Sequence, residues 1–158
     1  MSILMPWSTT QRDGTMTTAY RQDFYAWTQE QAALMRAGKL SDIDWALVAE
    51  EIDDMGKSEK RAMESRLEVL LMHLLKWQIQ QDRRSKSWQR TIKDQRRRLG
   101  KLLQENPSLK SVLAESIADV YPSAVIAAAN ETGLDEEHFP ETSPYTDKQI
   151  FDPDFLPD

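Results

Sequence analysis

No cysteine occurs anywhere in the 158 residues. That single absence excludes disulfides, thiolate metal sites and cysteine nucleophiles, and it fits a reducing compartment. Glycine is scarce at five residues, and β-branched residues never alternate with polar ones over a useful run, so strands are not expected. No stretch approaches 18 consecutive apolar residues, and no membrane span is expected. Residues Met1 to Gly14 hold a short apolar patch (Ile3, Leu4, Met5) without a basic lead. They do not read as a signal peptide, and the expected location is the cytoplasm. Gly-x-Ser-x-Gly, Walker, Gly-x-Gly-x-x-Gly and His-Glu-x-x-His motifs are all missing, so no enzyme class is positively signalled.

What is present suits one ordinary helical domain. A chain of this length can bury roughly 70% of its unfolded surface, and the apolar share of 40%, with five Trp and a leucine-rich middle, supplies the material. The net charge of −6 hides an asymmetry: ten basic residues lie between Lys76 and Lys101 against two acids, Asp82 and Asp94. Such a split marks either a basic surface with a use or a basic helix that neutralises acidic ones.

Helical spacing predicts a first helix over Ala19–Ala37, with Phe24, Trp27, Gln31, Leu34 and Met35 as its stripe and Gly38 as its stop. Ser41, Asp42 or Asp44 can cap a second, in which Trp45, Val48, Ile52 and Met55 recur before Gly56 ends it. Ser58 can cap a third over Glu59–Gln80, whose wide arc of Met63, Leu67, Leu70, Leu71, Leu74 and Leu75 makes it central. A fourth, Lys86–Gln104, carries Trp88, Ile92, Leu99, Leu102 and Leu103, with basic residues on its other faces. Asn106-Pro107-Ser108 is a break. A fifth stretch runs from Leu109 to about Asn130 with a kink or division expected at Pro122, and Glu131 to Leu134 closes it. A short helix is expected over Pro144–Phe151. The expectation is an all-α helical bundle of about five main helices with an acidic C-terminal tail packed across it. Residues 1–18 form a loose tail and 19–158 a single domain.

Several blocks then stand in a familiar order: Asp23-Phe24-Tyr25-Ala26-Trp27, Glu50-Glu51-Ile52, Met55-Gly56, His73-Leu74-Leu75-Lys76-Trp77, Ser87-Trp88, Pro107-Ser108-Leu109, Glu131-Thr132-Gly133-Leu134 and Phe139-Pro140. Over roughly Tyr20 to Pro157 the chain resembles the bacterial family called domain of unknown function 29, many of whose members are cyanobacterial. The resemblance implies a helical fold and no assigned activity, so it transfers no functional residue. The chain departs from the pattern it implies at three places: Gln81 where a Pro is expected, Pro122 where a small helix-compatible residue is expected, and Ser143 where Cys is expected. The last shows that a thiol there is not required by this chain.

Three constellations carry chemistry. Arg66, Leu70, His73 and Trp77 share one edge of the leucine arc, and Glu51 on the second helix could reach His73 across a helix–helix contact. A carboxylate–imidazole pair there could do acid–base work, or could simply pin two helices in register. Glu50, Glu51, Asp53, Asp54 and His73 form an acidic gathering, but Glu-x-x-His never occurs and only His73 and His138 are available, so no metal and no cofactor is expected. The basic stretch, with Arg83, Arg84, Arg90, Arg96 and Arg97 as binding residues, could contact a phosphate backbone, another protein, or the chain's own acids. The reading favoured is a non-catalytic macromolecular interaction or regulatory module using the basic fourth helix. The alternatives are a small enzyme or ligand-binding bundle around His73, and nucleic-acid binding through residues 83–101. Partners are expected to be another protein before nucleic acid, with self-association open and no membrane.

Overall fold

The computed structural model describes residues 18–158, so the expected loose tail, Thr18 apart, lies outside the described residues. Among those residues every regular element is helical. Two compact units form, dividing between Lys57 and Ser58.

In the first unit the expected opening helix is two: α1 (Thr18–Gln22) and α2 (Phe24–Arg36). The reason is Asp23. Its backbone leaves the helical region at φ −147, and its carboxylate accepts from the Ala26 amide at 2.9 Å, a side-chain cap that starts a new helix. Gly38, at φ 71, ends α2 in the left-handed conformation that only glycine adopts freely. A single 3₁₀ turn, Leu40–Asp42, leads into α3 (Trp45–Ile79). Of the three expected caps, Asp44 does the work: it accepts from the Leu47 amide at 3.3 Å, while its own amide donates to the buried Gln31 side chain at 2.8 Å. Trp27, Ile43, Leu47 and Val48 form this unit's core, with Tyr20 and Leu34 against it.

The expected stop at Gly56 does not occur. Gly56 keeps ordinary helical dihedrals, and α3 runs on through it to Ile79, so the expected second and third helices are one. A glycine inside a helix costs only about 1 kcal/mol against alanine. It stops a helix when the chain must turn left-handed there, and nothing at Gly56 requires that.

The second unit takes the C-terminal part of α3 with α4 (Lys86–Glu105), α5 (Leu113–Thr132) and α6 (Asp147–Phe151). Met63, Leu67, Leu70, Leu71, Leu74 and Leu75 are completely buried, as the wide arc requires. Each such leucine contributes about 1.5–3 kcal/mol of transfer free energy. Ile92, Leu99 and Leu103 meet them from α4, and Ile117, Tyr121, Ala124 and Ala128 from α5. Ser85 caps α4 by accepting from the Trp88 amide at 3.2 Å. After Asn106 the break is a 3₁₀ segment, Pro107–Val112. Together with α5 this stretch is long and apolar enough by composition to cross a membrane, yet in the fold its apolar face lies in the core. Of the kink or division expected at Pro122, the division does not occur: α5 is one helix with Pro122 facing solvent, and Gly133 closes it at φ 72.

The tail is packed as expected. Phe139, Tyr145 and Ile150 are buried in the same core, and Phe155 lies against them. Tyr121 donates to the Pro140 carbonyl at 2.7 Å, and Tyr145 donates to Gln78 Oε1 at 2.8 Å. A reciprocal cap between Thr146 and Gln149 makes α6 three residues shorter than the expected Pro144 start.

Candidate functional site

The expected pairing of Glu51 with His73 is not made. Both residues stand on α3 with about six turns between them, so one cannot face the other across a helix–helix contact. Glu51 instead accepts a short hydrogen bond from the Tyr20 hydroxyl, and that bond pushes the phenol up to about 12. The carboxylate thus ties α1 to α3 within the first unit.

His73 has a different setting. Its Nδ1 lies 2.8 Å from the Val69 carbonyl, which can only accept, so Nδ1 carries the proton and Nε2 is left as the group that titrates. Burial lowers its pKa, the Val69 carbonyl opposes that, Lys76 adds to the lowering and Glu131 counters it. Lys76 is the residue that sequence reasoning passed over. It is buried, forms a short ion pair with Glu131 at the end of α5, and sits 4.5 Å over the Trp88 ring. Beside it the Gln80 amide donates to the Thr132 carbonyl at 3.4 Å. The signal lay in the sequence: Lys76 stands between Leu75 and Trp77 in an apolar run. Trp77 is buried and stacks with Arg84, its ring centroid 5.0 Å from the guanidinium carbon. No described cavity is lined by His73, Lys76 or Glu131. The link between α3 and α5 here is the Lys76–Glu131 pair, while the His73 hydrogen bond stays within α3.

The basic helix is divided in its duties. Arg96 is buried, and its guanidinium donates to three carbonyls of the C-terminal segment: Ile150 at 2.8 Å, Phe155 at 2.7 Å and Gln149 at 3.1 Å. Arg84 donates to the Trp77 carbonyl at 2.8 Å and to the Pro157 carbonyl at 3.3 Å. Both residues, expected as contacts for a partner, are therefore spent inside the chain. Arg83, Arg90 and Arg97 are exposed. Arg97 and Arg98 share Asp94, at 3.2 and 2.7 Å, and hold its carboxyl below the usual range.

Arg66 and Arg97 are brought together. With Arg98 and Lys101 they line a cleft of about 350 Å³ between α3 and α4, floored by Ala62 and Leu102 and bounded by Glu59 and Glu105. Among the described residues no three or more His, Asp or Glu side chains are placed to share a metal ion.

Sequence spacing also misjudged one face of α3. Trp45, Ile52 and Met55 are exposed at 54, 63 and 69%, while Leu47 and Val48 turn into the core. Phe24, Tyr25 and Leu40 in the same unit are exposed too, and beyond this unit Ile126 is the other large apolar side chain so exposed among the described residues.

The fold and these sites define an all-α protein with a closed leucine core and large exposed apolar side chains in its first unit. The family described as Domain of unknown function DUF29 matches residues 19–156, and the chain belongs to it. No curated protein and no solved structure matches the chain.

Proposed function

We propose that the chain is a non-catalytic protein-interaction module, and that its contact surface is the exposed apolar face of the first unit. The observation that carries this is the concentration of large solvent-exposed apolar side chains between Phe24 and Met55. Single exposed leucines are ordinary on any protein, but several large apolar side chains exposed within one small unit suit an interaction surface. Trp45 and Ile52 stand seven residues apart and share nearly one azimuth of α3, with Met55 one turn further on. Trp45 donates its indole N–H to the Leu40 carbonyl at 3.0 Å, which leaves the ring face for contact. Tryptophan is among the residues that most often dominate interface energies.

The flank of this face chooses the partner. Glu50, Asp53 and Asp54 stand on the same turns, and Lys57, at 3.9 and 3.8 Å from the two aspartates, is the one cation from Trp45 to Lys57. Such a rim suits a protein surface with an apolar centre and basic edges, and it disfavours nucleic acid. The absence of cysteine supports a reducing compartment, and the family resemblance a bacterial cell. The test is capture from native extract with and without nuclease. A protein partner retained after nuclease is the expected outcome; recovery that depends on nucleic acid would overturn the reading.

A further inference from the structure

The cleft between α3 and α4 has a feature that fold stability does not explain. Arg66 is half-buried there, and it has no hydrogen bond or ion pair among the described residues. A half-buried guanidinium carries five donors and is costly to leave unmatched. Around it stand Arg97 and Arg98, each giving only one of its nitrogens to Asp94, and Lys101, whose contact to Glu105 is 3.7 Å. The donors left over suit an oxyanion: guanidinium forks match carboxylate and phosphate alike, and several cations together favour the doubly charged phosphate.

We propose that this cleft binds a small phosphomonoester, its phosphate held by Arg66, Arg97 and Arg98, with Lys101 beside them. Three observations limit the ligand. The volume of about 350 Å³ is at the small end of ligand sites, which run from roughly 300 to 1,000 Å³. Carboxylates interrupt the positive charge on both sides: Asp94 behind the arginines, and Glu59 with Glu105 at the other end. A nucleic-acid backbone would meet those carboxylates with its next phosphates, whereas a single dianion meets only the cations. α3 and α4 are joined by a short turn and so run antiparallel. Glu59 and Glu105 are the lining residues farthest from that turn, Arg66 and Arg97 the nearest. The cleft is therefore graded from cationic to anionic, and the carboxylate end can accept hydrogen bonds from hydroxyls. A phosphorylated polyol of sugar size fits both ends.

The site is independent of the protein-interaction surface. Its test is an NMR titration of the full chain at pH 7.5 with ribose 5-phosphate, free ribose and a duplex DNA oligonucleotide. Ribose 5-phosphate is expected to move the Ala62 and Leu102 amide resonances saturably, and in the wild type the Arg66 side-chain resonance with them, while ribose leaves them unmoved. Binding should weaken as pH falls through about 6, where the phosphate loses its second charge. Arg66→Ala is expected to weaken binding about tenfold or more, the loss of a bidentate charged contact. Arg90→Ala, exposed on α4 outside the cleft, should leave it unchanged. Should Arg66→Ala fail to fold, the Arg97→Gln, Arg98→Gln double variant carries the same expectation. No saturable shift, equal response to ribose, equal loss in Arg90→Ala, or tighter binding of the duplex at the same resonances would each overturn the proposal.

Discussion

Arg96 Nε donates to the Ile150 carbonyl at 2.8 Å, joining the middle of α4 to a segment more than fifty residues later. The same guanidinium reaches Phe155 and Gln149, so one side chain satisfies three carbonyls that no helix or strand would satisfy. Burial works against its charge, and Asp152 supports it. Arg96→Met keeps much of the volume but leaves the carbonyls bare. We expect it to cost at least about 1–3 kcal/mol, the range for leaving a buried acceptor unsatisfied, in urea denaturation. Amide exchange should rise across residues 147–157 before the rest of the chain.

The Lys76–Glu131 pair is asymmetric, with side-chain exposures of 5% and 51%. The lysine is the member that cannot return to water. Glu131→Gln should therefore cost more than the loss of an ordinary exposed carboxylate, because it leaves the buried ammonium without its counter-charge. A double-mutant cycle on the two should give a coupling of about 1 kcal/mol. Coupling near zero would show that Lys76 is held chiefly by its contact with Trp88.

Burial lowers the His73 pKa below its ordinary value. In the pH window between the lowered folded value and about 6.5 the unfolded chain binds the extra proton, so stability rises with pH there. The contribution is fully present above about 6.5 and is lost as pH falls through the folded value. His73→Gln should flatten that part of the stability profile between pH 5 and 7. An unchanged slope would place the pH dependence on other groups.

Leu70 and Ile52 share α3 and differ in surroundings, the first completely buried and the second 63% exposed. Leu70→Ala should cost about 2–5 kcal/mol through the cavity it leaves. Ile52→Ala should fall within about 0.5 kcal/mol. Thermal unfolding of the pair separates core from contact surface.

The fold was legible where burial repeats at helical spacing. Met63 to Leu75 pointed to the core because six apolar positions cover one wide arc, and Gly133 marked an end because glycine adopts the left-handed backbone there without strain. Gly56 misled because glycine permits a helix stop without demanding one. Arg96 misled because charge was read before position: Ile92, Arg96, Leu99 and Leu103 recur at core spacing, and all four are buried. The exposed face of Trp45, Ile52 and Met55 was invisible for a related reason. Periodicity shows that a face is apolar, but not whether the same chain covers it. The cleft at Arg66 joins two helices through their register, which no single segment reveals.

The central claim is that the first unit's apolar face is a protein contact surface. The most direct measurement compares capture of protein from nuclease-treated extract by the wild-type chain and by the Ile52→Glu, Met55→Glu double variant, with unfolding transitions recorded for both. The expected result is loss of the captured partner by the double variant at unchanged stability, while Arg90→Ala retains it. Equal capture by wild type and double variant, both folded, would contradict the account and clear this face of a binding role.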